Sequence, residues 1–136
     1  MSLQPGTIGT AELAVTGIDL ATILNQRPDD DFPPVFATTR MIGLMELAAS
    51  RALHPLLKEG EVSVGVGVDI MHAAATPIGA RVTAEARFTG MEGKLYVFEV
   101  SVRDPGGEVG RGIHKRAIVS AERLLAGATR RCSGAA

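Results

Sequence analysis

The chain has 136 residues, a formal net charge of -1 at pH 7 and a pI near 6.3. This length fits one domain with a hydrophobic core, and the charge balance excludes the basic footprint with which proteins bind nucleic acids. Apolar residues make up 46% of the chain, yet they never continue for the roughly 18 residues that a membrane-spanning helix needs. We therefore expect a soluble protein without a nucleic-acid or membrane partner, whose apolar surplus forms a subunit interface.

The C-terminal end contains the only cysteine, Cys132. One cysteine cannot form a disulfide within the chain, which favours a reducing, cytoplasmic setting. The stretch 127–136 is rich in small and polar residues, a composition typical of a flexible end. We therefore predict a single domain over residues 1–126, followed by a disordered tail over residues 127–136.

The first half of the chain predicts a short strand, a loop and one long helix. The strand is expected over residues 10–16, and a proline-rich loop or lid follows over residues 25–34. From Thr38 or Thr39 to about Lys58 the apolar residues recur with the 3.6-residue period of a helix. Pro55 weakens the last predicted turn because proline lacks a backbone donor and crowds the preceding turn.

The second half changes to the alternating pattern of strands. Four strands are predicted, over residues 62–70, 81–89, 95–103 and about 108–121. The connections between them are short, which favours antiparallel neighbours. Because the helix is apolar around most of its circumference, we expect an α+β protein whose antiparallel sheet wraps around one long central helix.

Glu46 is the most unusual residue of the predicted helix, because it is the only carboxylate between Phe32 and Lys58. An ionised glutamate is rarely buried without a charged or hydrogen-bonding partner. Glu46 either lies on a narrow solvent stripe with Arg40 and Arg51, or it belongs to a functional site.

His72 and a threonine are candidate partners of Glu46. His72 follows the long strand in phase with its valines and is expected on the side that faces the helix; it is either a satisfied core histidine or a catalytic group. Thr39 lies seven residues before Glu46 on nearly the same helix face, whereas Thr38 lies about 80° away on an ideal helix. Either threonine can instead cap the start of the helix.

Glycines and cations in two strands are further candidates. Gly65 and Gly67 lie in mid-strand, where glycine often marks the close approach of a ligand or another chain. The segment 110–116 is either a polar edge strand or a strand whose cations meet an anionic cofactor. No metal site is predicted, because no ligand spacing joins Cys132 to the histidines, which are His54, His72 and His114.

Three segments together resemble the hotdog-fold thioesterases, and within them the group of fluoroacetyl-CoA thioesterase. The segments are residues 34–46 (PVFATTRMIGLME), residues 63–66 with 72–79 (SVGV and HAAATPIG), and residues 110–116 (GRGIHKR). The resemblance spans about residues 10–122. It implies a hotdog fold, in which the sheet wraps around the central helix, and homodimers with active sites at the subunit interface.

The resemblance also implies site residues. By position the catalytic residues correspond to Thr38, Glu46 and His72, so Thr38 is selected over Thr39. Gly65 and Arg116 correspond to residues near the thioester. An aromatic lid over the acyl pocket would correspond to Phe32, and Phe36 is a further candidate for substrate binding.

The function that the resemblance implies is hydrolysis of a small or medium acyl-CoA to the free acid and CoA. Glu46 would act as general base or nucleophile, with His72 assisting proton transfer and Thr38 positioning the reacting groups. Coenzyme A is part of the substrate, so no separate cofactor is expected. The alternatives are another hotdog enzyme, such as an enoyl-CoA hydratase, and a non-catalytic protein that binds or senses acyl-CoA.

Overall fold

The computed structural model describes residues 2–134, which form five strands, two helices and short 3-10 turns. The strands are β1 (Ile8–Ala14), β2 (Glu61–His72), β3 (Arg81–Glu92), β4 (Leu95–Asp104) and β5 (Gly107–Ser120). The helices are α1 (Thr38–Leu53) and α2 (Ala121–Ser133), and the 3-10 turns are Gly17–Asp19, Ala21–Leu24 and His54–Leu56. Over residues 2–134, neither helix combines the length and the apolar content required to cross a lipid bilayer.

The five strands form one antiparallel sheet in the order β1-β3-β4-β5-β2. Helix α1 packs on one face of this sheet and contacts every strand, so the predicted α+β architecture is confirmed. Gly9 lets strand β1 lie close against helix α1, because a Cβ atom at this position would collide with the backbone of Ala48. The core between helix and sheet is apolar and includes Met41, Met45, Leu53, Val82, Ala84, Phe88, Phe98 and Val102.

Helix α1 begins and ends differently from the prediction. Its N-cap is Ala37, which makes no side-chain capping bond, so neither Thr38 nor Thr39 caps the helix. The helix ends at Leu53 rather than near Lys58, and a 3-10 turn containing Pro55 follows. The physical reason is that proline cannot donate a backbone hydrogen bond and crowds the preceding turn.

The C-terminal region also differs from the prediction of a disordered tail, because α2 extends to Ser133. Ser120 caps this helix by accepting a hydrogen bond from the backbone of Arg123 at 3.2 Å. Glu122 in the first turn and Arg130 with Arg131 in the last turn complement the helix dipole. The prediction from composition did not take these capping and charge signals into account. Residues 135 and 136, which the prediction also covers, lie outside the described part of the chain.

Candidate active site

Thr38 and His72 meet at the start of α1. The α1 helix begins at Thr38 and strand β2 ends at His72, and the Thr38 Oγ1 atom lies 2.7 Å from His72 Nδ1. The ring of Phe36 packs edge-on against the imidazole, with ring centroids 6.5 Å apart. A hydroxyl and an imidazole are therefore held together by adjoining ends of a helix and a strand.

The second ring nitrogen of His72 is buried, and among residues 2–134 it has no hydrogen-bond partner. Burial lowers the pKa of His72 below its ordinary value. His72 is consequently neutral at neutral pH. An unpartnered nitrogen on a neutral imidazole is available to a substrate, a water molecule or a group from another subunit.

A cavity of about 370 Å³ opens beside the Thr38–His72 pair. Its walls are mostly apolar, with Phe36 buried and Phe32 at the surface with 45% of its area exposed. Ligand pockets typically combine such apolar walls with a few polar groups that fix orientation. The lining residues include Ala21, Leu24, Phe32, Val35, Phe36, Thr38, Thr39 and His72.

Glu46 lies elsewhere on α1, eight residues after Thr38, which corresponds to about 12 Å along the helix axis. Its carboxylate accepts a hydrogen bond from Arg116 Nη1 at 2.9 Å and keeps 42% of its side-chain area exposed. Arg40 and Arg51 are also exposed, as the solvent-stripe alternative required, but neither contacts Glu46: Arg40 pairs with Asp19 and Arg51 donates to a backbone carbonyl of β1. Glu46 is thus half-exposed, yet it is bound to a buried cation.

Arg116 is directed at Glu46 by its other hydrogen bonds. Its side chain is only 7% exposed. Its Nε atom donates to Ser63 Oγ at 3.2 Å and its Nη2 atom donates to the Ser63 carbonyl at 2.9 Å. Each guanidinium nitrogen therefore has a partner within the chain, and a charge-assisted hydrogen bond holds the carboxylate in place.

His114 joins this cluster, although the sequence did not mark it as a site residue. It is 1% exposed, and its Nδ1 atom lies 2.8 Å from the Gly67 carbonyl. Because a carbonyl only accepts hydrogen bonds, Nδ1 carries the proton, and Nε2 accepts from Arg116 Nη1 at 3.0 Å. The position of His114 two residues before Arg116, on the same face of one strand, was the available signal.

The pKa of His114 is lowered, and burial is the main cause. The bond to the Gly67 carbonyl opposes this shift, the charge of Arg116 adds to it, and the charge of Glu46 opposes it. The ring is therefore neutral at neutral pH, as its role as an acceptor for Arg116 requires.

Gly65 provides the space for the Glu46 carboxylate. A Cβ atom built at this position would collide with Glu46 Oε2 and would lie 3.2 Å from His114 Cε1. The mid-strand glycine does mark a close approach, and in a single chain the approaching group is the side chain of Glu46.

One chain therefore contains two groups of the residues that the sequence suggested. Thr38, His72, Phe32 and Phe36 surround the cavity, whereas Glu46, Gly65 and Arg116 form the second group. In the described part of the chain, no hydrogen bond joins Glu46 to Thr38 or His72. Thr38 rather than Thr39 contacts the histidine.

The curled five-stranded antiparallel sheet around one long helix is the hotdog fold, and the protein is a hotdog thioesterase by class. A solved fluoroacetyl-CoA thioesterase superimposes with a TM-score of 0.90 at 34% identity, covering 96% of this chain and 98% of that one. A mutant of such an enzyme, solved with fluoroacetate and CoA, gives a TM-score of 0.83 at 36% identity, covering 89% and 98% of the two chains.

The sequence relationship agrees with the fold. Fluoroacetyl-CoA thioesterase of Streptantibioticus cattleyicolor is 44% identical over 96 residues, which are 71% of this chain and 69% of that protein. Residues 19–122 match the family of fluoroacetyl-CoA-specific thioesterases, FlK. The chain belongs to this family of thioester hydrolases.

Proposed function

We propose that the protein hydrolyses small or medium acyl-CoA esters to the free acid and CoA, in a site completed by a second copy of the chain. The observation that carries this proposal is the buried, unpartnered Nε2 atom of His72 beside an apolar cavity. The nearby Thr38 hydroxyl adds a second polar group to a wall that is otherwise suited to an acyl chain. No cofactor beyond the CoA of the substrate is required.

The cavity dimensions support a short acyl group. A volume of about 370 Å³ is at the lower end of the range for small-molecule pockets. Phe32 and Phe36 would contact the acyl chain, with the thioester carbonyl near Thr38 and His72. The related mutant enzyme solved with fluoroacetate and CoA supports a CoA ester as the substrate.

The exposed edge of β2 supports a homodimer. Strand β2 is at the end of the sheet order and pairs with β5 alone among the described strands. Val66, Val68 and Met71 on this strand are 51%, 49% and 71% exposed. An apolar edge strand with free backbone groups is a ready site for pairing with another chain.

Pairing through β2 would also unite the two groups of site residues. If two β2 strands pair antiparallel about a two-fold axis at Asp69, the extra residue of the bulge, Val66, lets His72 come opposite Gly65 of the partner subunit. Gly65 lies against Glu46 in each chain. The dimer would thus bring the Glu46 carboxylate of one subunit close to the His72 imidazole of the other. Within one chain the two groups are kept apart, because Glu46 lies two turns along α1 from Thr38, the partner of His72.

The chemistry then divides among these groups. Glu46 acts as general base, taking a proton from the water that attacks the carbonyl carbon, or as nucleophile on that carbon. When Glu46 is the base, water forms the new C–O bond as the C–S bond breaks. When Glu46 is the nucleophile, it forms an acyl anhydride as the C–S bond breaks, and water then hydrolyses the anhydride to the free acid and the Glu46 carboxylate. In both routes the CoA sulfur leaves with a proton whose transfer His72 assists. Thr38 positions the carbonyl, backbone N–H groups near Gly65 stabilise the oxyanion, and Arg116 holds Glu46 and helps hold the substrate.

Thiol release from a panel of short and medium acyl-CoA esters tests the reaction. Wild type should release CoA, and Glu46→Gln should lower kcat by about 10²–10⁴-fold because the carboxylate is lost. Binding of CoA esters without thiol release would instead identify an acyl-CoA binding protein, and hydration of an enoyl-CoA would identify a hydratase. Full activity of Glu46→Gln would refute the assignment of Glu46.

Mixing two inactive variants tests the shared site. In a heterodimer of Glu46→Gln and His72→Ala chains, a shared site leaves one of the two centres intact. After subunit exchange, the mixture should recover about a quarter of wild-type activity. No recovery, with heterodimers demonstrated by native mass spectrometry, would place all residues of each centre in one chain.

The oligomer and the cellular setting are also part of the proposal. Light scattering should give a solution mass of twice the 14.2 kDa of the chain. The cytoplasmic location favoured by the single cysteine stays a prediction, and fractionation of the producing cells would test it.

A further inference from the structure

We propose that His114 is a positioning residue, which fixes the orientation of Glu46 through Arg116 and anchors the bulge of β2 next to it. The catalytic consequence of this inference rests on the proposed function, because it requires that Glu46 acts on the thioester. The positioning itself is a property of the hydrogen-bond network and can be measured separately.

The first link joins His114 to the β2 bulge. Gly65 pairs with Arg116 and Gly67 pairs with Lys115, so one extra residue, Val66, is inserted into β2. A bulge leaves the extra residue outside the regular ladder and bends the strand. The Nδ1–H group of His114 donates to the Gly67 carbonyl at this point, which attaches the bulge to the interior of the sheet.

The second link joins His114 to Glu46. The Nη1 atom of Arg116 lies 2.9 Å from Glu46 Oε2 and 3.0 Å from His114 Nε2, so one nitrogen bridges the carboxylate and the imidazole. The direct distance from His114 Nε2 to Glu46 Oε2 is 4.0 Å. The chain of contacts therefore runs from the Gly67 carbonyl through His114 and Arg116 to the carboxylate.

This chain requires one particular form of the histidine. A proton on Nε2 would face the N–H groups of Arg116, and the guanidinium could not remain in place. The charged groups that face the ring are Glu46 from α1 and Arg116 from β5, while β4 contributes the apolar Phe98 opposite it. His114 is thus held neutral, with a donor toward the bulge and an acceptor toward Arg116.

Three substitutions separate the two links. The amide of asparagine is as many bonds from Cβ as Nδ1, whereas the amide of glutamine is as many bonds from Cβ as Nε2. His114→Asn therefore keeps a donor for the Gly67 carbonyl, His114→Gln keeps an acceptor for Arg116, and His114→Phe removes both. Loss of a buried hydrogen bond to a charged group corresponds to about 10–100-fold in rate.

We expect His114→Gln to retain most of the wild-type kcat, while His114→Asn and His114→Phe lose about tenfold or more with KM changed less than about threefold. A retained kcat in His114→Gln and a lowered kcat in His114→Asn would show that the acceptor for Arg116 matters, because this acceptor is what holds Glu46 in place. A general loss of folded protein would lower kcat in both variants. Equal kcat values in all three variants and wild type, or losses that follow only the measured melting temperatures, would overturn the proposal.

A spectroscopic measurement tests the network without enzyme activity. The chain has three histidines, so ¹⁵N-histidine NMR spectra can be assigned by comparison with the variants. We expect His114 as the neutral form protonated at Nδ1, and a form protonated at Nε2 at neutral pH would overturn the inference. If wild type hydrolyses no acyl-CoA, the proposed function fails while this measurement still decides the positioning.

Discussion

Gly65 is the residue of β2 that makes room for the Glu46 carboxylate. Its missing side chain leaves room for Glu46 Oε2, while Arg116 holds the same oxygen from the other strand. The φ angle of Gly65 is not positive, so the glycine is required for space and not for backbone conformation. A single methyl group at this position should therefore act on the carboxylate rather than on the fold.

We expect Gly65→Ala to lower kcat by up to about 100-fold, because a shift of about 1 Å in a catalytic group can have that effect. The free energy of unfolding should change by about 1 kcal/mol or less, since the displaced atom is the end of a flexible side chain. Gly67→Ala is the matched control, with its nearest contact at 3.9 Å from Lys115 Cβ. Equal kcat values for the two variants would contradict this account of Gly65.

At the scale of elements, the connection between β1 and α1 is firmly attached at both ends. The Asp19 carboxylate accepts hydrogen bonds from the Thr16 backbone at 2.8 Å and from Arg40 Nε at 2.9 Å. The Asp19 carbonyl accepts from Ala37 at the start of α1. The part predicted as a loop or lid, which includes the exposed Phe32, thus extends from a fixed base beside the cavity.

Removing this attachment should destabilise the protein. Asp19→Ala is expected to lower the free energy of unfolding by about 1–3 kcal/mol, because it removes the buried carboxylate that accepts hydrogen bonds from Thr16 and Arg40. Asp29→Ala, at an exposed position of the same connection, should change it by less than about 0.5 kcal/mol. Urea denaturation at a fixed protein concentration measures both, and similar values for the two variants would argue against the anchoring role of Asp19.

At the scale of the whole molecule, three buried or partly buried groups among residues 2–134 have shifted pKa values. Burial lowers the pKa of His72 and of His114 below the ordinary value of 6.5. Burial alone would raise the pKa of Asp19, but hydrogen bonds from Thr16 and Arg40 outweigh it and lower that pKa below 3.8. In each case the unfolded chain binds a proton at a higher pH than the folded chain does.

Stability should therefore fall as the pH is lowered, in two windows. From pH 6.5 downward, unfolding takes up protons on His72 and His114, and the free energy of unfolding decreases until their folded pKa values are reached. A second decrease, from Asp19, begins near pH 3.8. Urea titrations across this range measure the free energy of unfolding at each pH. His114→Gln should make the decrease below pH 6.5 smaller, because only His72 of the two histidines then contributes to it.

The exposed His54 supplies the control for this measurement. His54→Gln makes the same exchange at an exposed position and measures the effect of the exchange itself. A wild-type stability that is constant between pH 6.5 and pH 5, about the range in which these histidines would titrate, would contradict the assignment.

The order and type of the elements follow from local patterns. The alternation in β2 to β5 and the helical period of α1 were readable because side-chain direction repeats every two residues in a strand and every 3.6 in a helix. The end of α1 was predicted too late because apolar spacing continues past Pro55, while the backbone cannot continue the helix there. Helix α2 was missed because a small, polar composition outweighed the capping signal of Ser120.

The sequence by itself determined the fold class, the family resemblance and the unusual position of Glu46. Only the tertiary structure decided that Arg116 binds this carboxylate and that His114 contacts Arg116 beside it. The physical reason is register: the β2 bulge between Gly65 and Gly67 changes which side chains face inward, and local periodicity does not reveal where a ladder shifts. Contacts between distant strands and α1 depend on that register.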